Sequence, residues 1–142
     1  MNIFDYMTYP AILKQSEDGS YSVNIRGLPH SHTCGDTYEE ALEMAKELII
    51  DCATFDAGHY EIAKGDQPNN DEVAINIPAD VAIKIMLRNA MLEKKVNVHQ
   101  LAEKIGAQDS KVRNTLSFRR ATKLETIVQY FNAIGCPLSI SC

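Results

Sequence analysis

The chain has 142 residues, 45% of them apolar, and a formal net charge of −5, enough for one domain with a core or for two small ones. Four cysteines (Cys34, Cys52, Cys136 and Cys142) lack both CxxC spacing and disulfide-scaffold density. The most apolar stretch, 73–92, is broken by Asp80, Lys84 and Arg88, and Asp5 stands where a signal peptide would be basic. A membrane span and a secretory leader are therefore not expected, which leaves a soluble cytoplasmic protein with reduced thiols.

Residues 9–13 and 21–25 are strand-like and flank Glu17-Asp18-Gly19-Ser20, a turn of the hairpin kind. Tyr21, Val23 and Ile25 alternate with Ser22 and Asn24, which gives this strand one buried and one wet face. Gly27 and Pro29 end it, and a short polar strand is expected over 31–34. Thr37 and Glu40 have capping-box spacing and open a long helix with Ala41, Ala45, Leu48, Ile49, Cys52 and Ala53 as its apolar stripe. Residues 58–70 read as loop, and Val73, Ile75 and Ile77 alternate as a last strand. The first half is thus a small antiparallel sheet plus a helix, an α+β layer.

Pro78 marks a boundary between this α+β domain, 1–77, and an all-α domain, 78–142. From 79 to about 94 a helix is apolar over most of its circumference, so it needs cover on more than one side. Its Lys84, Arg88 and Lys95 read as a solvated basic strip rather than a DNA contact. Asn97 and Gln100 form a capping box for the next helix, Leu101, Ala102 and Ile105 share its buried face, and Gly106 stops it. A second short helix from near Asp109 buries Val112 and Leu116. A third carries Leu124, Ile127, Val128, Phe131 and Ile134 at helical spacing.

Two short helices joined by a tight turn leave the outer face of the second free to enter a major groove. That region carries Gln108, Ser110, Lys111, Arg113 and Asn114, followed by Arg119, Arg120 and Lys123. Arg113 and Asn114 are expected at base edges, Arg119 and Lys123 at phosphates. Residues 136–141 are expected as a short strand pairing across a two-fold axis, with Leu138 and Ile140 on one face.

Charge is segregated along the chain. Residues 1–72 hold 14 acidic and 4 basic side chains, a balance of −10, and residues 73–142 hold 5 and 10, a balance of +5. The basic half suits a phosphate backbone, and the acidic half suits a basic partner. Enzymatic readings are weak. A metal nuclease needs converging carboxylates, and 9–13 and 21–25 hold none. His30, His32 and Cys34 alternate like soft-metal ligands, but a polar edge strand accounts for them more cheaply, with no fourth ligand or ordered second shell required. No Ser/His/Asp arrangement, P-loop or dinucleotide fingerprint occurs, so no catalytic residue, metal or cofactor is expected.

The small-residue contact at Ala102, the turn glycine, the polar short helix and the arginine pair resemble the helix-turn-helix of phage-repressor-like (Cro and cI-type) DNA-binding domains. Val98 departs from it, standing where that family usually has glutamine. The Glu17-Asp18-Gly19-Ser20-Tyr21 turn, the Gly27-Leu28-Pro29 bend and Gly35-Asp36-Thr37-Tyr38-Glu39-Glu40-Ala41 resemble the N-terminal domain of HicB-type antitoxins, with departures at Arg26 and His30. Some of those antitoxins carry a phage-repressor-like domain next, so the resemblance spans the chain.

The resemblance implies a partial RNase H-like N-terminal fold that neutralises HicA, a small basic toxin that cleaves messenger RNA through a histidine. It implies a C-terminal domain that binds the operon's own double-stranded promoter, as a homodimer or higher homo-oligomer. The toxin contact is expected from Asp5, Glu17, Asp18, Asp36, Glu39, Glu43 and Glu47, around an apolar anchor drawn from Tyr6, Tyr9, Tyr21 and Leu28. The alternative is a free-standing repressor whose first domain senses a small ligand.

Overall fold

A computed structural model of the chain describes residues 2–28 and 31–140. A short 3₁₀ turn at Ile3–Tyr6, capped by the Asn2 side chain, leads into β1 (Thr8–Gln15) and β2 (Tyr21–Ile25). Asp18 closes their turn by accepting from the Ser20 N–H and hydroxyl at 3.0 and 2.6 Å, bonds that hold its carboxyl below the usual range. β3 (His32–Gly35) flanks β2 and β4 (Val73–Asn76) flanks β1, giving the order β3-β2-β1-β4 with all neighbours antiparallel.

The register sets Tyr9 opposite Ile75, Leu13 opposite Val23, and Ala11 between Ile25 and Val73. Because side chains alternate across a strand, these residues share one face. α1 (Tyr38–Asp56) covers it with Ala41, Ala45, Ile49 and Ala53. Thr37 caps α1 by accepting from the Glu40 N–H at 3.1 Å. Gly35 lies so close to the helix start that a Cβ there would sit 2.4 Å from the Ala41 nitrogen. Small residues at both positions let the strand end run directly under the helix, which gives the glycine–threonine–alanine pattern a physical reason.

α2 (Ala79–Glu93) is apolar nearly all round, and its own chain covers it. It packs on the 3₁₀ turn from the first half and on α5 (Leu124–Ala133) from the second. Asn89, buried on α2, ties down the preceding loop. Its side chain accepts from the Ile62 N–H at 2.8 Å and donates to the Ile62 carbonyl at 3.0 Å and the Tyr6 hydroxyl at 3.1 Å. Pro78 is the N-cap of α2, and one continuous core runs across it from Tyr6 to Ile134.

α3 (Val98–Ile105) and α4 (Asp109–Leu116) complete an α+β fold. In α5 the buried stripe is Ile127, Tyr130, Phe131 and Ile134, while Leu124 in its first turn is 54% exposed. Residues 136–140 form no strand in the single chain, where a lone segment has no ladder to join, and Ser141 lies outside the described residues. Among the described residues no helix is long and apolar enough to cross a membrane.

Candidate nucleic-acid interface and partner surface

α3 opens on a complete capping box. The Asn97 side chain accepts from the Gln100 N–H at 2.8 Å, and the Gln100 side chain accepts from the Asn97 N–H at 2.9 Å. Gly106 closes the helix at φ 70°, a conformation that costs other residues roughly 1–2 kcal/mol. Leu101 and Ala102 of α3 and Val112 and Leu116 of α4 are buried. This fixes which face of α4 meets water: Gln108, Ser110, Lys111, Arg113 and Asn114 are all exposed. Among the described residues no ion pair engages Lys111 or Arg113. Arg120 and Lys123 are exposed as well.

Arg119 stands differently from the expected free phosphate ligand. Its Nη1 donates to Glu47 at 2.6 Å and its Nη2 to Asp51 at 2.7 Å, two carboxylates one turn apart on α1. These hydrogen bonds, Glu47's first, hold the guanidinium pKa above its ordinary value. All three side chains are about half exposed or more, so the pair orients the two halves more than it stabilises them.

Lys84 also departs from the expected solvated strip. It is 1% exposed, and its ammonium donates to the Ser117 carbonyl at 2.8 Å and to the Arg120 carbonyl. Burial lowers its pKa. It gives a donor to two carbonyls just past the end of α4, of which Ser117's also accepts from the Arg120 N–H at 3.3 Å. The signal was present in the sequence: a lysine on a helix apolar all round has no wet face, so it must find acceptors inside.

The acidic positions divide by the sheet's ends. Tyr21 pairs with Gly35, so the turn carrying Glu17 and Asp18 lies at the same end as Asp36 and the start of α1 with Glu39 and Glu43. All five carboxylates are exposed. Tyr21 is half-buried and packs edge-to-face on Tyr38 with ring centroids 5.6 Å apart. Asp5 sits at the opposite end, 3.7 Å from Lys64. Tyr9 is a core residue, not an exposed anchor: it is 1% exposed, and its hydroxyl donates to the Ala63 carbonyl at 2.7 Å. Tyr6 and Leu28 are buried too. Sequence reasoning missed Tyr38 and Met44, exposed apolar side chains among the α1 carboxylates. His32 and Cys34 are exposed on the edge strand β3, and His30 lies outside the described residues. Among the described residues no three His, Cys, Asp or Glu side chains converge as metal ligands.

An acidic α+β layer is continued by a basic helical segment, and the two share one core. Residues 8–86 match the family described as a HicB-like antitoxin of a bacterial toxin–antitoxin system. The chain is 33% identical over 139 residues to Antitoxin HicB 1 of Photorhabdus laumondii subsp. laumondii, covering 98% of this chain and 89% of the relative. It is 30% identical over 135 residues to Antitoxin HicB of Escherichia coli K12, covering 94% and 98%. With Antitoxin HicB of Pseudomonas fluorescens Pf0-1 the identity is 28% across an alignment of 150 residues, covering 98% and 94%. The chain belongs to the HicB-like antitoxin family. The matched segment continues past Pro78 into α2, in keeping with the packing of that helix on the first half.

Proposed function

We propose that the chain neutralises a small basic ribonuclease toxin of the HicA kind by masking it. We further propose that it represses its own operon by binding promoter DNA as a dimer. Family membership across 8–86 carries the first half of this reading, and the net negative charge of the α1 end of the sheet supports it. The second half rests on α3 and α4 acting as a phage-repressor-like helix-turn-helix. The exposed polar face of α4, opposite buried Val112 and Leu116, supports that assignment. A dimer would set two such helices about 34 Å apart on one face of the duplex. Arg113 and Asn114 read bases, Lys111, Arg120 and Lys123 meet phosphates, and Arg119 joins them only after leaving Glu47 and Asp51.

The test uses the full-length chain, the basic protein encoded beside it, an RNA substrate and the promoter duplex. Stoichiometric inhibition of RNA cleavage and promoter binding well above that for random duplex are expected. Unabated cleavage at excess antitoxin would overturn the first half, and equal affinity for both duplexes the second.

A further inference from the structure

The end of α1, the last turn of α2 and the α2–α3 turn enclose a cleft of about 670 Å³. Its lining includes Arg88, Lys95 and Arg113 with two imidazoles, His59 and His99, and no Asp or Glu, in a chain of net charge −5. His99 brings its own counter-charges, Asp109 at 3.1 Å and Glu103 at 3.0 Å. Among the described residues the uncompensated cations are therefore the two arginines and the lysine.

Two of them are held there against their own preference. Arg88 is half-buried, and among the described residues no carboxylate pairs with it. Desolvation lowers its pKa. The Arg88 guanidinium lies directly against Gly58, where a Cβ would come within 2.8 Å of it. Lys95 has φ 57° and is, among the described residues, the sole non-glycine at positive φ. It follows α2 where glycine ends a helix without strain. Its N–H donates to Leu92 at 3.1 Å and the Val96 N–H to Met91 at 2.9 Å, as in a glycine-closed ending. Backbone strain of this kind collects at functional positions.

We propose that this cleft binds a phosphate group, with Arg88 and Lys95 as its principal ligands and Arg113 on the α4 side. A guanidinium without a carboxylate partner offers a fork that matches two phosphate oxygens. The N–H groups of Val98 and His99 in the first turn of α3, both residues of the cleft lining, add donors at the positive end of a helix, while the Gln100 N–H is taken by Asn97. The phosphate belongs either to a small phosphorylated molecule or to a nucleic-acid backbone passing α4. The first case stands on the cleft alone, and the second rests on the DNA reading above.

The experiment is thermal unfolding of the full chain in inorganic phosphate, in pyrophosphate and in chloride at equal ionic strength. Phosphate and pyrophosphate should raise the wild-type Tm above that in chloride, and Arg88→Met should cut the rise to the part that exclusion of a kosmotropic anion gives any folded chain. Arg88→Lys keeps the charge without the fork. It should need several-fold more phosphate, and it replaces Arg88→Met if that variant does not fold. Lys95→Gly should melt higher than wild type in chloride yet gain less from phosphate, a pairing that a merely structural lysine would not produce. Binding of promoter and random duplexes separates the sources. Equal weakening of both by Lys95→Gly, with a flatter salt dependence, assigns the backbone. Unchanged duplex binding with the phosphate response lost assigns a small molecule. A chain that binds no duplex but responds to phosphate retires the DNA reading and leaves the site standing. Phosphate responses equal in all variants, or absent while Lys95→Gly binds duplexes as wild type does, would overturn the site.

Discussion

Lys84 is the buried charge that holds the segment carrying the arginine pair, because its ammonium bonds the carbonyls of Ser117 and Arg120. Lys84→Met keeps the stem and removes the charge, taking one donor from each carbonyl and leaving Ser117's with the Arg120 N–H alone. Unfolding free energy should fall by about 1–3 kcal/mol in a denaturant titration. On the wet face of α4, Arg113→Ala should cost about 1–3 kcal/mol on the promoter and far less on random duplex. An unchanged promoter affinity would mean that α4 presents another face.

His99 adds a pH dependence. Asp109, and then Glu103, hold its pKa above the ordinary 6.5. The folded state therefore binds this proton more tightly than the unfolded chain does. Its stabilisation is complete below 6.5 and disappears as pH rises through the folded value. Wild type should lose more thermal stability than His99→Gln between about pH 6 and about pH 8. Equal losses would show that the imidazolium contributes nothing.

At the scale of elements, local chemistry wrote most of the boundaries. Thr37, Asn97 and Gly106 each act at the helix end where their types predict, and Asn97→Ala should cost about 1 kcal/mol, read by thermal melts. Alternation in β2 and helical spacing in α3 and α4 carried the buried residues Val23, Ile25, Leu101, Val112 and Leu116. What periodicity could not supply was the identity of distant partners. Glu47 and Arg119 are 72 positions apart, and neither has a local feature that names the other. Tyr9 shows the same limit: its alternation allowed burial, but only the Ala63 carbonyl makes burial of its hydroxyl cheap. The 136–140 segment is a different case, since a strand across a two-fold axis is a property of two chains.

At the scale of the whole molecule, charge segregation does not separate two bodies. α2 and its Asn89 knit the acidic and basic halves into one core. On the proposed function the charged surfaces would govern encounter. Association with a basic toxin should slow as salt rises, while the dissociation rate stays nearly constant if an apolar contact such as Tyr38 or Met44 holds the complex. Stopped-flow mixing at two ionic strengths measures both rates, and a salt-insensitive association would remove the acidic end of the sheet from this role.

The carboxylates that grip Arg119 belong to the same helix face that a basic partner would seek. On the proposed reading Glu47 and Asp51 would serve two rival cations, Arg119 inside the chain and one of the toxin outside it. A toxin that captures them evicts Arg119 toward the phosphates beside α4, so its arrival should tighten operator binding a few-fold. Thermodynamic reciprocity requires the operator to tighten toxin binding by the same factor. Arg119→Ala should leave both ligands bound but indifferent to each other. Operator titrations with and without toxin, for both chains, measure that factor, and a toxin that loosens wild-type operator binding would reverse its sign.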